Sequence, residues 1–248
     1  MSNETDKQNK QKVIESFDKI ADIENTKNTE NERRRWNHNN HYYSKMLDLV
    51  TRKNSTILDI GCGKGDFVTD AAKRGFFATG IDFSPEMIKR AQQNTDKIYE
   101  IEIKNACSFI CGDAYDILPT FKQQSFDAAF SFATMHHMDY LKLVPVLQPL
   151  IKPRGFFGVV DIPKNSTVTD YLTDLAAIPT NIVMNRIRNG KTEKNEQSYE
   201  EKKIWEEHAK YDDYMTFAQI RSQMKQLGVK YRLERLLYFR YMLVIYLN

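Results

Sequence analysis

Short apolar runs alternate with amphipathic stretches along this chain, most clearly between residues 56 and 162. Residues 56–60 are a compact apolar run ending at a glycine-rich turn, the pattern of a buried strand. Residues 67–74 carry helical spacing and are stopped by Gly75. Residues 76–81 predict a second strand. Ser84-Pro85-Glu86 opens the next helix, with serine as cap, proline at the first helical position and an acid in the first turn. Two more strands are predicted over 108–111 and 126–132. A helix over 141–151, interrupted by Pro145 and Pro149, leads to a fifth strand over 156–162. Strands separated in this way by helices predict a parallel sheet with right-handed crossovers.

The flanks have a different rhythm. Residues 1–12 are polar and are expected to be a disordered tail. Residues 13–50 read as a helical arm with a polar break over 25–31. Residues 163–211 read as a helical insertion covering the substrate site: a helix over 167–188 broken at Pro179, a polar loop over 189–201, and a helix bearing Trp205. A further helix over 216–227, capped by Thr216, precedes two runs over 231–239 and 241–247 that predict a hairpin turning near Arg240. Residues 13–248 are expected to form one domain.

Composition narrows the classes. Hydrophobic residues make up 41% and charged residues 28% of the 248, ordinary for a globular domain, and the net charge is only +3. That balance argues against a surface tracking nucleic acid, and the one tight basic cluster, Arg33 to Arg35, reads as a solvated helix face. The three cysteines, Cys62, Cys107 and Cys111, lack the spacing of a disulfide framework or a zinc site, so no metal is expected. No apolar run approaches the ~20 residues that span a bilayer, and the first dozen residues lack the apolar stretch of a signal peptide. A cytoplasmic protein with no membrane partner is expected, either a monomer or a homodimer.

The chemistry gathers at strand ends. Asp59-Ile60-Gly61-Cys62-Gly63-Lys64-Gly65-Asp66 follows a strand and opens a helix. Glycines there permit a tight turn and close approach of backbone to a ligand. A dinucleotide fingerprint requires G-x-G-x-x-G, but the position three after Gly63 is Asp66, an acid where a pyrophosphate would sit. A nicotinamide oxidoreductase is therefore disfavoured, and a cofactor without phosphate, bearing an amino group, suits the carboxylates better. Asp82 ends the second strand, where it can accept hydrogen bonds from a ribose diol; Asp113 follows the third, where it can accept one from an adenine amino group. Each acid alone reads equally well as a helix cap. Three in succession, at the edge where open α/β sheets bind ligands, read as a site.

These segments resemble the class I S-adenosylmethionine-dependent methyltransferases. Ile57-Leu58-Asp59-Ile60-Gly61-Cys62-Gly63-Lys64-Gly65 is similar to their first motif, and Gly80-Ile81-Asp82-Phe83-Ser84-Pro85-Glu86-Met87 to their second. Gly112-Asp113-Ala114, Ser125-Phe126-Asp127 and residues 150–156 resemble later ones. The resemblance implies a Rossmann-like α/β fold: a seven-stranded mixed sheet with its last strand antiparallel, helices on both faces and a small helical insertion before the terminal hairpin. It implies S-adenosylmethionine as cofactor and S-adenosylhomocysteine as product. Asp59, Gly61, Cys62, Gly63 and Gly65 would hold the methionine end, Asp82 the ribose, and Gly112, Asp113 and Ala114 the adenine, with Phe83 or Met87 packed on it. Ser131 and Phe132 complete the expected cofactor set. Residues 36–43, the Met135-His136-His137-Met138 segment and Arg240-Tyr241 further resemble a bacterial, type 11 branch of that family.

A sulfonium methyl is already activated, so the enzyme's main task is to align an acceptor with it. A general base helps where the acceptor carries a proton. His136 and His137 are the candidate bases; the competing reading makes one a buried structural histidine and the other a loop anchor. Trp36, His38, His41, Tyr42 and Tyr43 are candidate lid or substrate residues, with core packing or a surface helix start as the competing reading. The apolar positions Tyr171, Leu172, Leu175, Ile178, Ile182, Met184 and Ile187 either line a pocket or pack on the sheet. A small-molecule acceptor is expected. RNA or protein methylation and non-catalytic cofactor binding are the alternatives. Against base methylation, Ser131-Phe132-Ala133-Thr134 stands where an Asp/Asn-Pro-Pro-aromatic motif would be.

Overall fold

The computed structural model describes residues 37–189 and 209–247, with the single positions 12, 15, 19, 203 and 206. Residues 1–11 of the expected tail, Trp36, the polar loop after residue 189 and Trp205 lie outside the described residues.

Seven strands form: β1 (Thr56–Ile60), β2 (Phe77–Asp82), β3 (Cys107–Cys111), β4 (Phe126–Phe132), β5 (Ile151–Asp161), β6 (Lys230–Leu236) and β7 (Arg240–Tyr246). They make one sheet of order β3-β2-β1-β4-β5-β7-β6. β1 pairs parallel with both β2 and β4, β2 with β3, and β4 with β5. β7 pairs antiparallel with β5 on one side and β6 on the other. The mixed sheet therefore has the expected count, with β7 the reversed strand. The chain runs outward from β1 to β3, then returns to lay β4 beside β1. That reversal opens a crevice at the carboxyl ends of β1 and β4, where this architecture binds ligands.

Both faces are covered, because successive strand side chains point to opposite sides. In β1, Ile57 packs with Met46 and Leu47 of α1 (Tyr43–Leu47), Phe67, Val68 and Ala71 of α2 (Asp66–Lys73), and Ile88 of α3 (Pro85–Asp96). Leu58 and Ile60 pack instead with a second cluster. It includes Ala114 of α5 (Ala114–Ile117), Tyr140 and Leu143 of α6 (Tyr140–Leu147), and Ile220 and Met224 of α8 (Phe217–Leu227). The short α4 (Ile101–Asn105), for which the sequence carried no clear signal, sits just before β3.

Several boundaries differ from expectation, the hairpin among them: β6 ends at Leu236 rather than 239, and Arg240 already belongs to β7. β5 begins at Ile151, not 156, because Ile151 pairs with Phe126 ahead of a register shift between Phe126 and Ala128. The predicted helix before it consequently ends at Leu147, with one 3-10 turn over Gln148–Leu150. Helix α7 (Val168–Asn189) runs through Pro179 without a break. Pro179 and Leu175, the residue whose carbonyl the proline leaves unpaired, are both exposed, so water can take that carbonyl. The α7 apolar stripe is also more open than expected. Tyr171, Leu175, Ile178, Ile182 and Ile187 are exposed, while Met184 packs on the cluster around Phe67. Among the described residues, no helix is long and apolar enough to cross a membrane.

Candidate active site

The glycine bend is built by hydrogen bonds across β1 and β2. The Gly61 and Cys62 amides both donate to the Ile81 carbonyl, at 2.8 and 3.0 Å. Asp82 then closes the bend: its Oδ2 accepts from the Gly63 amide at 2.8 Å and its Oδ1 from the Ser84 amide at 2.9 Å. Ser84 caps α3 as its sequence implies, accepting from the Met87 amide at 3.2 Å. Gly61 has φ +76°, and a Cβ there would lie 2.3 Å from the Thr134 side chain. Only glycine serves at that crossing. Gly63 also has positive φ, +50°, but a Cβ there would meet nothing within 4 Å. The first glycine is required by the fold; the second faces open space.

Asp59 is 3% exposed, and its Oδ1 has no hydrogen-bond partner among the described residues. Burial, and secondarily the charge of Asp82, hold its carboxyl well above the usual carboxylate range. The same two acids, after burial, push the Cys62 thiol up. A buried acid in this state gains from a cation or a hydrogen-bond donor arriving beside it. Tyr43 shares this field: burial first, then Asp66 and Asp59, raise its phenol well above normal. Its ring packs edge-on against Phe67 and Phe132, with centroids 5.2 and 4.7 Å away.

The other expected cofactor residues fall at the same sheet edge. Asp82 pairs in register with Cys111, and the Gly112 amide donates to the Asp82 carbonyl at 2.9 Å. Asp113 caps α5 through the Tyr115 amide at 2.9 Å, so its helix-cap role is real. Ala114 and Met87 are buried, and Phe83 is half-buried. Ser131 is fully buried and donates to the Ile60 carbonyl at 2.9 Å, joining β4 to β1. Phe132 packs within the Phe67–Phe130–Tyr43 aromatic cluster.

Beyond β4, Ala133 takes a positive φ of 49° and turns the chain across Gly61 through Thr134. A 3-10 turn over Met135–His137 follows. His136 is clamped to the tip of β5. Its ring Nδ1 and Asp161 Oδ1 are 2.8 Å apart, and its amide donates to Asp161 Oδ2 at 3.0 Å. A carboxylate only accepts, so Nδ1 carries a hydrogen, and it is Nε2 that holds the lone pair of the neutral ring. His136 Nε2 and His137 Nε2 stand 3.8 and 3.6 Å from one atom, Asp212 Oδ1. Adjacent histidines thus converge on a third residue. Tyr214 donates its hydroxyl to Asp212 Oδ2 at 2.5 Å, and the Asp213 amide donates to the His136 carbonyl at 2.9 Å.

The arm meets this end by way of the hairpin. His38 stacks on Tyr238 with centroids 5.7 Å apart and hydrogen-bonds Asn181 of α7 at 3.0 Å. His41 packs edge-on against Tyr238, and Tyr42 donates its hydroxyl to the Leu237 carbonyl at 2.7 Å. Arg240, at the start of β7, donates to Asn39 Oδ1 at 3.0 Å. Burial lowers the Arg240 guanidinium below its ordinary value, opposed chiefly by the Asp161 carboxylate. The structure thus joins His38, His41 and Tyr42 to the β6–β7 turn, and Tyr43 to the glycine-bend side.

Sequence reasoning missed Asp161, Asp212, Tyr214, Asn181 and Thr134. Asp161 carried a usable signal, an acid at the end of a predicted strand. Asp212 carried none, because its neighbours in space are distant in sequence.

A family model described as a methyltransferase domain matches residues 51–222. Among curated proteins, the chain is 27% identical over 150 residues to a demethylmenaquinone methyltransferase of Bacillus licheniformis, covering 58% of this chain and 57% of that one. It is 27% identical over 115 residues to a 27-O-demethylrifamycin SV methyltransferase of Amycolatopsis mediterranei, covering 46% and 40%. The chain thus spans about half the length of these relatives. A crystal structure of a SAM-dependent methyltransferase from Aquifex aeolicus has the same fold, with TM-score 0.56, 16% identity, and coverage of 83% and 89%. With most of its length inside that family model, and the glycine bend and strand-tip acids in place, the chain belongs to the class I S-adenosylmethionine-dependent methyltransferases.

Proposed function

We propose that the protein transfers the methyl group of S-adenosylmethionine to a small molecule, and that the acceptor presents a protonated heteroatom to the His136–His137–Asp212 cluster. The observation that carries this reading is the Thr134–Gly61 crossing, which ties the histidine turn directly to the glycine bend.

Two features fit the cofactor to the bend: the buried Asp59 oxygen without a partner, and the open space beside Gly63. Asp59 and the bend from Gly61 to Gly65 would hold the amino-acid end. Asp82 would take the ribose. Gly112, Asp113 and Ala114, with Phe83 and Met87, would bound the adenine. Bound there, the cofactor supplies an activated methyl on sulfur. The chain's own residues then orient the acceptor and manage its proton. Asp161 fixes the His136 ring so that Nε2 faces Asp212, and Tyr214 fixes the Asp212 carboxylate. Tyr43, Phe67 and Phe132 wall the crevice with apolar surface, and the arm with α7 completes the cover around Arg240.

Both curated relatives bear names of small-molecule methyltransferases, which favours that acceptor class over RNA or protein. The free cysteines Cys62, Cys107 and Cys111 suit a reducing cytoplasm. The test is S-adenosylhomocysteine release over a panel of phenols, hydroquinones, alcohols and amines, with His136→Ala as control. Turnover that His136→Ala lowers at least tenfold supports the reading; acceptance of RNA or protein alone, or turnover indifferent to His136, overturns it.

A further inference from the structure

We propose that His136, His137 and Asp212 form a binding site for one divalent transition-metal ion of the zinc class, with Asp161 and Tyr214 as its outer supports. The inference deepens the acceptor-site reading above and rests on it for its role in catalysis, though not for metal binding itself.

The geometry is that of two imidazoles and one carboxylate sharing a point between them. One nitrogen from each ring and one Asp212 oxygen lie within 4.8 Å of one another. The nitrogen–oxygen separations of 3.8 and 3.6 Å exceed hydrogen-bond length. They approach the spacing of two ligands on one tetrahedral ion, roughly 3.4 Å for bonds of about 2.0–2.2 Å. All three side chains are nearly buried, at 7%, 9% and 4% exposure, which suits a site that holds its ion away from solvent.

The surroundings match what such a site needs. A ligating histidine commonly donates its other ring hydrogen to a carboxylate, which fixes the tautomer and raises the basicity of the ligating nitrogen. His136 does this with Asp161. A ligating carboxylate is commonly hydrogen-bonded through its second oxygen, as Asp212 is by Tyr214. The Asp213–His136 backbone bond holds the two ligand-bearing segments together. Two histidines and one carboxylate are a known donor set for a catalytic ion that keeps an open position. Such an ion lowers the pKa of a hydroxyl bound to it, where a bare imidazole would take the proton itself.

The experiment uses the tag-free full chain, stripped with a chelator and titrated with Co²⁺ as a visible probe. One equivalent should bind, with ligand-field absorption that Zn²⁺ abolishes. His137→Ala and Asp212→Ala should each weaken binding at least a hundredfold, and each should still bind S-adenosylhomocysteine by calorimetry, which shows the fold intact. Absence of Co²⁺ and Zn²⁺ binding to the unaltered chain, or binding unchanged in both variants, overturns the proposal. If no metal binds but His136→Ala still lowers turnover, the metal site falls and the proton-handling reading stands. If Co²⁺ binds as expected but no acceptor on the panel is methylated, the metal site stands and the acceptor reading falls.

Discussion

Asp82 Oδ2 accepts the Gly63 amide at 2.8 Å, so the acid proposed to bind ribose also shapes the bend proposed to hold the amino-acid end of the cofactor. Its Oδ1 does the same for Ser84 at the cap of α3. Asp82→Ala removes ribose acceptors and frees two amides at once. We expect cofactor affinity to fall about 30- to 1,000-fold, on the order of 2–4 kcal/mol for charged hydrogen bonds lost together. Calorimetry with S-adenosylhomocysteine reads the affinity. Affinity within twofold of the parent would remove Asp82 from the site.

Gly61 and Gly63 separate folding from binding. Gly61→Ala sets a methyl against Thr134 at a positive φ and should cost about 1–3 kcal/mol of stability, seen as a lower thermal midpoint. Gly63→Ala meets open space and should lose only about 1 kcal/mol. Its cofactor affinity should nonetheless drop at least tenfold, because its methyl occupies the cradle. Equal stability losses with equal affinities would contradict this division.

The Asp161 carboxylate grips His136 through both ring and amide. Asp161→Asn replaces an acceptor with an amide that reverses the preferred tautomer. Turnover should fall about 10- to 100-fold, the usual cost of losing such an outer support, with cofactor affinity held within threefold. Steady-state kinetics against acceptor, across pH, distinguish this from general unfolding. An unchanged turnover number would mean the clamp is only structural.

His38 links the arm to α7, and its environment makes the link pH-sensitive. Burial lowers its pKa below 6.5; the Asn181 bond opposes this and the Arg240 charge adds to it. The folded state therefore prefers neutral His38. Its contribution is complete above pH 6.5 and is lost as pH falls from there through the lower folded value. Protection factors over residues 37–47, corrected for the intrinsic pH dependence of amide exchange, should fall between pH 7.5 and 5.5, and His38→Gln should flatten that fall. Protection factors independent of pH would refute the coupling.

The glycine bend and its flanking acids were legible because their parts are local. Strand, glycine bend and helix cap follow one another between Thr56 and Met87, and each signals itself by residue type at fixed spacing. The inward burial of both Ser131 and Phe132 was hidden, since only a sheet covered on both faces turns both residues inward. The convergence on Asp212 was hidden for a different reason. It depends on how the segment before α8 folds back onto the β4 turn, and no periodicity encodes that. The unbroken course of α7 through Pro179 likewise depends on which side of the helix meets water.

The placement of β7 between β5 and β6 bears on how the chain assembles during synthesis. β5 keeps a bare edge, and β6 has no place in the sheet, until residues 240–246 arrive to fill the gap between them. The same strand brings Arg240, so the guanidinium that faces Asp161 and the arm comes last. A ribosome-bound chain lacking this strand should already carry its glycine bend while Asp161 and Asn39 still await Arg240, with an open edge for chaperones to guard.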